Sequence, residues 1–191
     1  MNTRFYLWIL MMWGMCISCV EYTPKPRGYF RIEPPIPVYQ SLPDLNLPYT
    51  FQISHFAEVE LPPVKHSGSW INIIYPQLKV MLYCSYLPIT PKNLIEVANE
   101  SRRLLMRQTK YPNQIVVQEF KKLEAKVYGS LFMLGDESAS PIQFILTDSV
   151  SHFFRGALYY DCIVNADSLE PVTLYLKQDI IELIQSFKWN K

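Results

Sequence analysis

The residue pattern predicts an α+β fold, an antiparallel β-sheet flanked by two main helices. Three observations carry that expectation. Residues 49–56 and 70–86 alternate apolar and polar side chains, the period of a half-buried strand. Residues 90–107 and 168–187 instead repeat apolar side chains at helical spacing, so each helix packs by one stripe. Between these helical stretches the strand-like text returns, and strands, helix, strands, helix in that order give one sheet with helices laid on it.

The chain opens on a leader. Arg4 supplies a short positive start, residues 5–17 are almost wholly apolar, and Ser18 precedes Cys19. Such a run reads as a secretory signal, since spanning a bilayer takes about 20 residues. Cys16-Ile17-Ser18-Cys19 reads as a bacterial lipobox, with residues 1–18 removed and a lipid carried on Cys19. Cys16 stands where Leu is usual, and a signal-anchor helix left uncut is the alternative. Each buried methylene of an acyl chain contributes about 0.8 kcal/mol, so several chains together hold a protein almost permanently. The lipid bilayer, reached through acylated Cys19, is therefore the first expected partner.

Residues 19–48 form the lipidated N-terminus and a Pro-rich tether or surface-packed segment, with seven of the chain's fifteen prolines. Proline fixes φ and pushes its predecessor to extended geometry, which disfavours helix. Tyr29, Phe30, Ile32, Ile36, Val38, Tyr39, Leu42, Leu45 and Leu47 are too apolar for a solvated spacer. Residues 20–27 are thus expected to be free, and the rest to lie along a single α+β domain spanning 49–191.

Within that domain Pro76-Gln77 marks a hairpin, after which Leu78, Val80, Leu82, Cys84 and Tyr86 share one face. Thr90-Pro91 is a helix start, a capping hydroxyl followed by Pro at the first position. Leu94, Ile95, Val97, Ala98, Leu104 and Leu105 form its stripe, and Tyr111-Pro112-Asn113 stops it. Strands follow at 115–120, 125–134, 142–147 and 152–163. The closing helix starts at Ser168 with Pro171 in its first turn. Leu176, Ile180, Leu183, Ile184 and Phe187 face inward, and Lys188 and Lys191 suit its negative C-terminal end. The arrangement resembles the layered Mog1/PsbP-like sandwich.

Little in the sequence points to catalysis. Net charge is +1, with Lys and Arg scattered, which argues against nucleic acid and against electrostatic attraction to anionic lipid. His55, His66 and His152 are not spaced as ligands, so no metal site is expected. No Gly-x-Ser-x-Gly elbow and no phosphate-cradling loop occur; Ser130 is a plain strand residue. Asp148, Asp161 and Asp167 are placed to meet near one end of the sheet, though turn and cap roles account for Asp148 and Asp167. In an exported protein a disulfide between Cys84 and Cys162 is allowed, and two separate buried thiols are equally consistent. Thirteen tyrosines are present. Tyr83 and Tyr159, on the polar faces of their strands, belong either to a recognition surface or to core beneath a helix.

Several segments resemble the gliding-motility lipoprotein D (GldD) family of Bacteroidota. Pro24-Lys25-Pro26-Arg27-Gly28-Tyr29 close behind the lipobox is one. Trp70-Ile71-Asn72-Ile73-Ile74-Tyr75-Pro76, the stretch 143–153, and 165–172 leading into 175–180 and Phe187-Lys188-Trp189 are the others. The resemblance implies a lipoprotein needed for gliding and for the type IX secretion apparatus that gliding machinery shares. It brings no catalytic residues and no cofactor beyond the lipid on Cys19; Pro24, Lys25, Pro26, Arg27, Gly28 and Tyr29 come as a motif of unknown role. The expected function is a non-enzymatic scaffold or assembly component held in the cell envelope with envelope proteins as partners. It is expected to face the periplasm, with the outer membrane favoured over the inner. The alternative is a periplasmic ligand-binding or hydrolytic protein acting on glycan or peptide.

Overall fold

The structure, a computed structural model, describes residues 36–62, 69–135, 138–161 and 166–190, the side chains of 166–168 excepted. Its elements are β1 (Tyr39–Ser41), β2 (Tyr49–Thr50), β3 (Gln52–Ser54), β4 (Glu58–Glu60), β5 (Ile71–Tyr75) and β6 (Val80–Pro88). Then come α1 (Leu94–Met106), β7 (Val116–Lys122), β8 (Val127–Met133), β9 (Ile142–Thr147), β10 (His152–Tyr160), α2 (Ala166–Ser186) and β11 (Lys188–Trp189). Among the described residues the main sheet runs β4-β5-β6-β10-β9-β8-β7, and every neighbouring pair in it is antiparallel. The α+β class expected from the sequence is the class observed.

Period-two text decides which face is wet. Ile71, Ile73 and Tyr75 of β5 are buried, as are Val80, Leu82, Cys84 and Tyr86 of β6. The same face continues through Phe154 and Leu158 of β10, Phe144 and Leu146 of β9, and Leu131 of β8. Against it lie Val172, Leu176, Ile180, Leu183 and Ile184 of α2, a stripe at helical spacing, followed by Phe187. The hairpin after β5 uses a short 3-10 turn over Pro76–Leu78, with Lys79 left-handed at φ 53°. The strand therefore starts at Val80, two residues later than the alternation suggests.

Two small ladders close the inner layer. β1 pairs with β3, and β11 pairs with β2. Leu42 is buried, and Leu45 and Leu47 pack on the core, so the described stretch 36–48 is part of the folded body. The expected continuous strand over 49–56 is interrupted at Phe51, because its two halves serve different partners. α1 begins three residues beyond Pro91. The Thr90 carbonyl accepts the Asn93 and Leu94 amides, while the Asn93 side chain takes the Thr90 amide at 2.7 Å. Ile95, assigned to the buried stripe, is 70 % exposed.

The C-terminal end of α2 is capped by a residue from elsewhere. Lys122, the last residue of β7, donates from Nζ to the Gln185 carbonyl and to the Phe187 carbonyl at 3.1 Å. Burial and the nearby Lys188 ammonium lower its pKa. Lys188 itself stands exposed on β11. Lys122→Met is expected to cost about 1 kcal/mol, the size of a charged donor lost from a helix C-terminus. Lys188→Met should cost much less. Urea denaturation of the two variants compares them.

Candidate functional site

The outer face of the sheet is where the structure leaves surface unclaimed. α1 lies over one half of it. There Leu94, Ala98 and Arg102 share a groove of about 750 Å³ with Val117, Glu119, Phe132, Ile145 and Phe153, among others. On the same face of the sheet the Arg155 guanidinium donates to Gln143 Oε1 at 2.9 Å, and burial holds the pKa of Arg155 below its ordinary value. The groove has a mostly apolar lining, with Arg102, Glu119 and Lys121 as its charged members. It is built to hold side chains or a short segment by apolar contact.

The rest of that face holds the tyrosines. Register places Tyr83 of β6 opposite Ala157 of β10, two residues before Tyr159 on the same face of the sheet. The two rings meet edge-on at 5.5 Å between centroids. Tyr83 is 46 % exposed and Tyr159 half-buried. The pair is therefore surface, amphipathic and already ordered by mutual contact.

A second polar cluster sits on the inner side. Asp179 of α2 is only 4 % exposed and accepts from the Tyr39 hydroxyl of β1 at 3.0 Å. The Tyr75 and Ser54 hydroxyls lean toward the same carboxylate, but Oδ2 has no donor at hydrogen-bond geometry. Burial raises the Asp179 pKa above the ordinary carboxyl value, outweighing the lowering by those hydroxyls. Burial and the carboxylate together push Tyr39 and Tyr75 up. Protonated Asp179 suits the fold, so its contribution is complete below the unfolded carboxyl pKa near 3.8 and is lost as pH rises through the elevated folded value. Asp179→Asn is expected to match the parent at the acid end and to exceed it in stability at neutral pH. Thermal melts across pH read the divergence.

The three carboxylates expected to converge do not. Asp148 closes the β9–β10 turn, and Asp161 follows the far end of β10, so about 30 Å of nine-residue strand separates them. The side chain of Asp167 lies outside the described residues. Asp148 Oδ1 accepts the amides of Val150, Ser151 and His152 at 2.8–2.9 Å. Burial alone would raise its carboxyl, and the three donors together bring it below the ordinary value. His152 Nδ1 lies 2.8 Å from the Tyr86 hydroxyl, and its ring stacks on Trp189 at 4.9 Å. Both partners are structural. Among the described residues no group of His, Cys, Asp and Glu is arranged to hold a metal.

A family model described as gliding motility lipoprotein GldD matches residues 19–189. The chain belongs to that family. Membership makes it a gliding-motility lipoprotein, and so a membrane-anchored protein of the cell envelope. No match is found among curated proteins. Among solved structures the chain is similar to the PsbP protein (CyanoP) of the cyanobacterium Synechocystis, at 10 % identity and a TM-score of 0.47. That likeness covers 81 % of this chain and 94 % of the other. Among the described residues no helix is long and apolar enough to cross a membrane.

For this GldD-family chain, Cys19 and the motif Pro24, Lys25, Pro26, Arg27, Gly28 and Tyr29 lie outside the described residues, as does Cys162. Cys84 is a free, buried thiol on β6, and burial pushes its pKa up. The Cys84–Cys162 disulfide allowed on sequence grounds involves Cys162 and so lies outside the described residues. Cys84 points into the apolar core opposite Ile71 and Gly156. The groove beneath α1 and the Asp179 cluster escaped sequence reading altogether. Each is assembled from segments tens of residues apart, and nothing local signals such a meeting.

Proposed function

We propose that this protein is a non-enzymatic scaffold or assembly component of the gliding machinery and of a type IX secretion apparatus associated with it. A lipid on Cys19 holds it to the envelope membrane, on the periplasmic side and at the outer membrane, in a member of the Bacteroidota. The family match, which runs from residue 19 to residue 189, is the observation that carries the proposal. Support for a binding role comes from the outer face. The exposed Tyr83 and Tyr159 pair and the apolar groove under α1 offer contact area to an envelope protein.

Cys19→Ala tests the anchoring half of the proposal. The variant is expected in the soluble fraction, with an unchanged thermal melt and no colony spreading. Spreading at the parental level by the soluble variant would overturn it. So would mass spectrometry showing an unlipidated parent with its leader attached.

A further inference from the structure

β7 is the edge of the main sheet, and among the described residues no strand pairs with its outer side. It is seven residues long, about 24 Å of strand at roughly 3.4 Å per residue. Long edges with free amides and carbonyls invite further strands, and proteins ordinarily blunt them. Here the edge stays apolar at one end, where Val116 is 64 % and Val117 50 % exposed. At the other end Lys121, Lys122 and Lys188 surround a hollow of about 740 Å³ beside Leu123, Glu124 and Trp189. Lys121 and Lys122 are adjacent in sequence, and the fold brings Lys188 beside them. Glu119 in the middle of the strand discourages indiscriminate pairing.

We propose that β7 is a docking edge for an extended segment of a partner protein, taken up as an added strand with its acidic end against the lysine corner. This deepens the scaffold role above and rests on it. Main-chain hydrogen bonds to β7 supply affinity, and alternate side chains of the added strand supply selectivity. Every second one lies alongside Val117, at the rim of the groove that Leu94 and Ala98 of α1 also line. The charge excess at the corner selects acidic residues there. A second copy of this chain is a poorer occupant. Two β7 strands paired antiparallel would set each lysine corner against the apolar end of the other copy and leave the lysines without carboxylates.

The test uses the full lipidated chain in detergent micelles and a fluorescent synthetic decapeptide, three aspartates followed by alternating valine and threonine. Saturating peptide should slow amide exchange over residues 116–122 at least tenfold. Lys121→Glu with Lys188→Glu should weaken binding at least tenfold, and a peptide with lysines for aspartates should not bind. Val117→Lys, a change at a half-exposed position, should keep the parental melt and lose binding. Unchanged exchange along β7 would overturn the proposal, as would equal binding of a peptide N-methylated at alternate residues. A full-chain dimer that Val117→Lys dissociates would assign the edge to self-pairing and overturn it too. In cells, Val117→Lys that spreads normally would sink the docking edge while leaving the Cys19-anchored scaffold intact; spreading by Cys19→Ala would do the reverse.

Discussion

Phe187→Ala is expected to destabilise the protein by about 3–5 kcal/mol, the range for deleting a fully buried aromatic ring. Phe187 is 0 % exposed. Its ring centroid lies 5.9 Å from Tyr49, 5.7 Å from Phe51, 5.1 Å from Phe154 and 4.7 Å from Trp189. It therefore joins the end of α2, the β2–β3 segment and the centre of the main sheet at one point. The loss should spread, because β11 and the Asn190 amide bond to Pro48 hang on the same residue. Typical stability is about 5–15 kcal/mol in total, so the variant should sit near the edge of folding. Urea titration should show a midpoint lowered by roughly 2 M, given slopes of about 1–3 kcal/mol/M. Phe187→Leu, which keeps most of the volume, should recover over half of the loss. A fall under about 1 kcal/mol for the alanine variant would show that the cluster is not the joint.

Gly156→Ala is the second large effect expected. Gly156 of β10 lies directly opposite Phe144 of β9. A Cβ built on it would stand 2.2 Å from Phe144 Cε1 and 2.3 Å from Cζ. Phe144 is 0 % exposed and packs against Phe154 at 6.0 Å, so its ring has nowhere to swing. Overpacking of this kind costs about 1–3 kcal/mol or more. The cause is checkable by a double-mutant cycle with Phe144→Leu. The smaller side chain should make the glycine replacement cheaper by at least about 1 kcal/mol, since contacting residues couple by that order. Strict additivity would place the cost elsewhere.

Both predictions rest on contacts that the sequence shows only in part. Phe187 belongs to a helical stripe and is legible there as buried. Its aromatic neighbours are not, since they come from residues 49, 51 and 154, and no periodicity links those segments. Gly156 reads as an ordinary strand glycine until the register sets it against Phe144. The same holds for the docking edge. The β-branched text at 115–117 announces a strand over 115–120, but whether that strand is central or peripheral depends on the other strands.

What the sequence by itself determined is everything governed by short-range periodicity and local chemistry. The α+β class follows from the change of period, and β9 falls on its expected residues, 142–147. The inward faces of β6 and α2 and the membership of the gliding-motility lipoprotein family were equally legible. Only the tertiary structure decided the order of strands and the two- and three-residue ladders β1–β3 and β2–β11, which are too short to carry a period. It also decided the Lys122 cap on α2, the seating of Asp179 under Tyr39, the exposure of Tyr83 and the lysine corner beside β7. Each depends on a partner far away in the chain, and side-chain pattern records which face is apolar, not what comes to cover it.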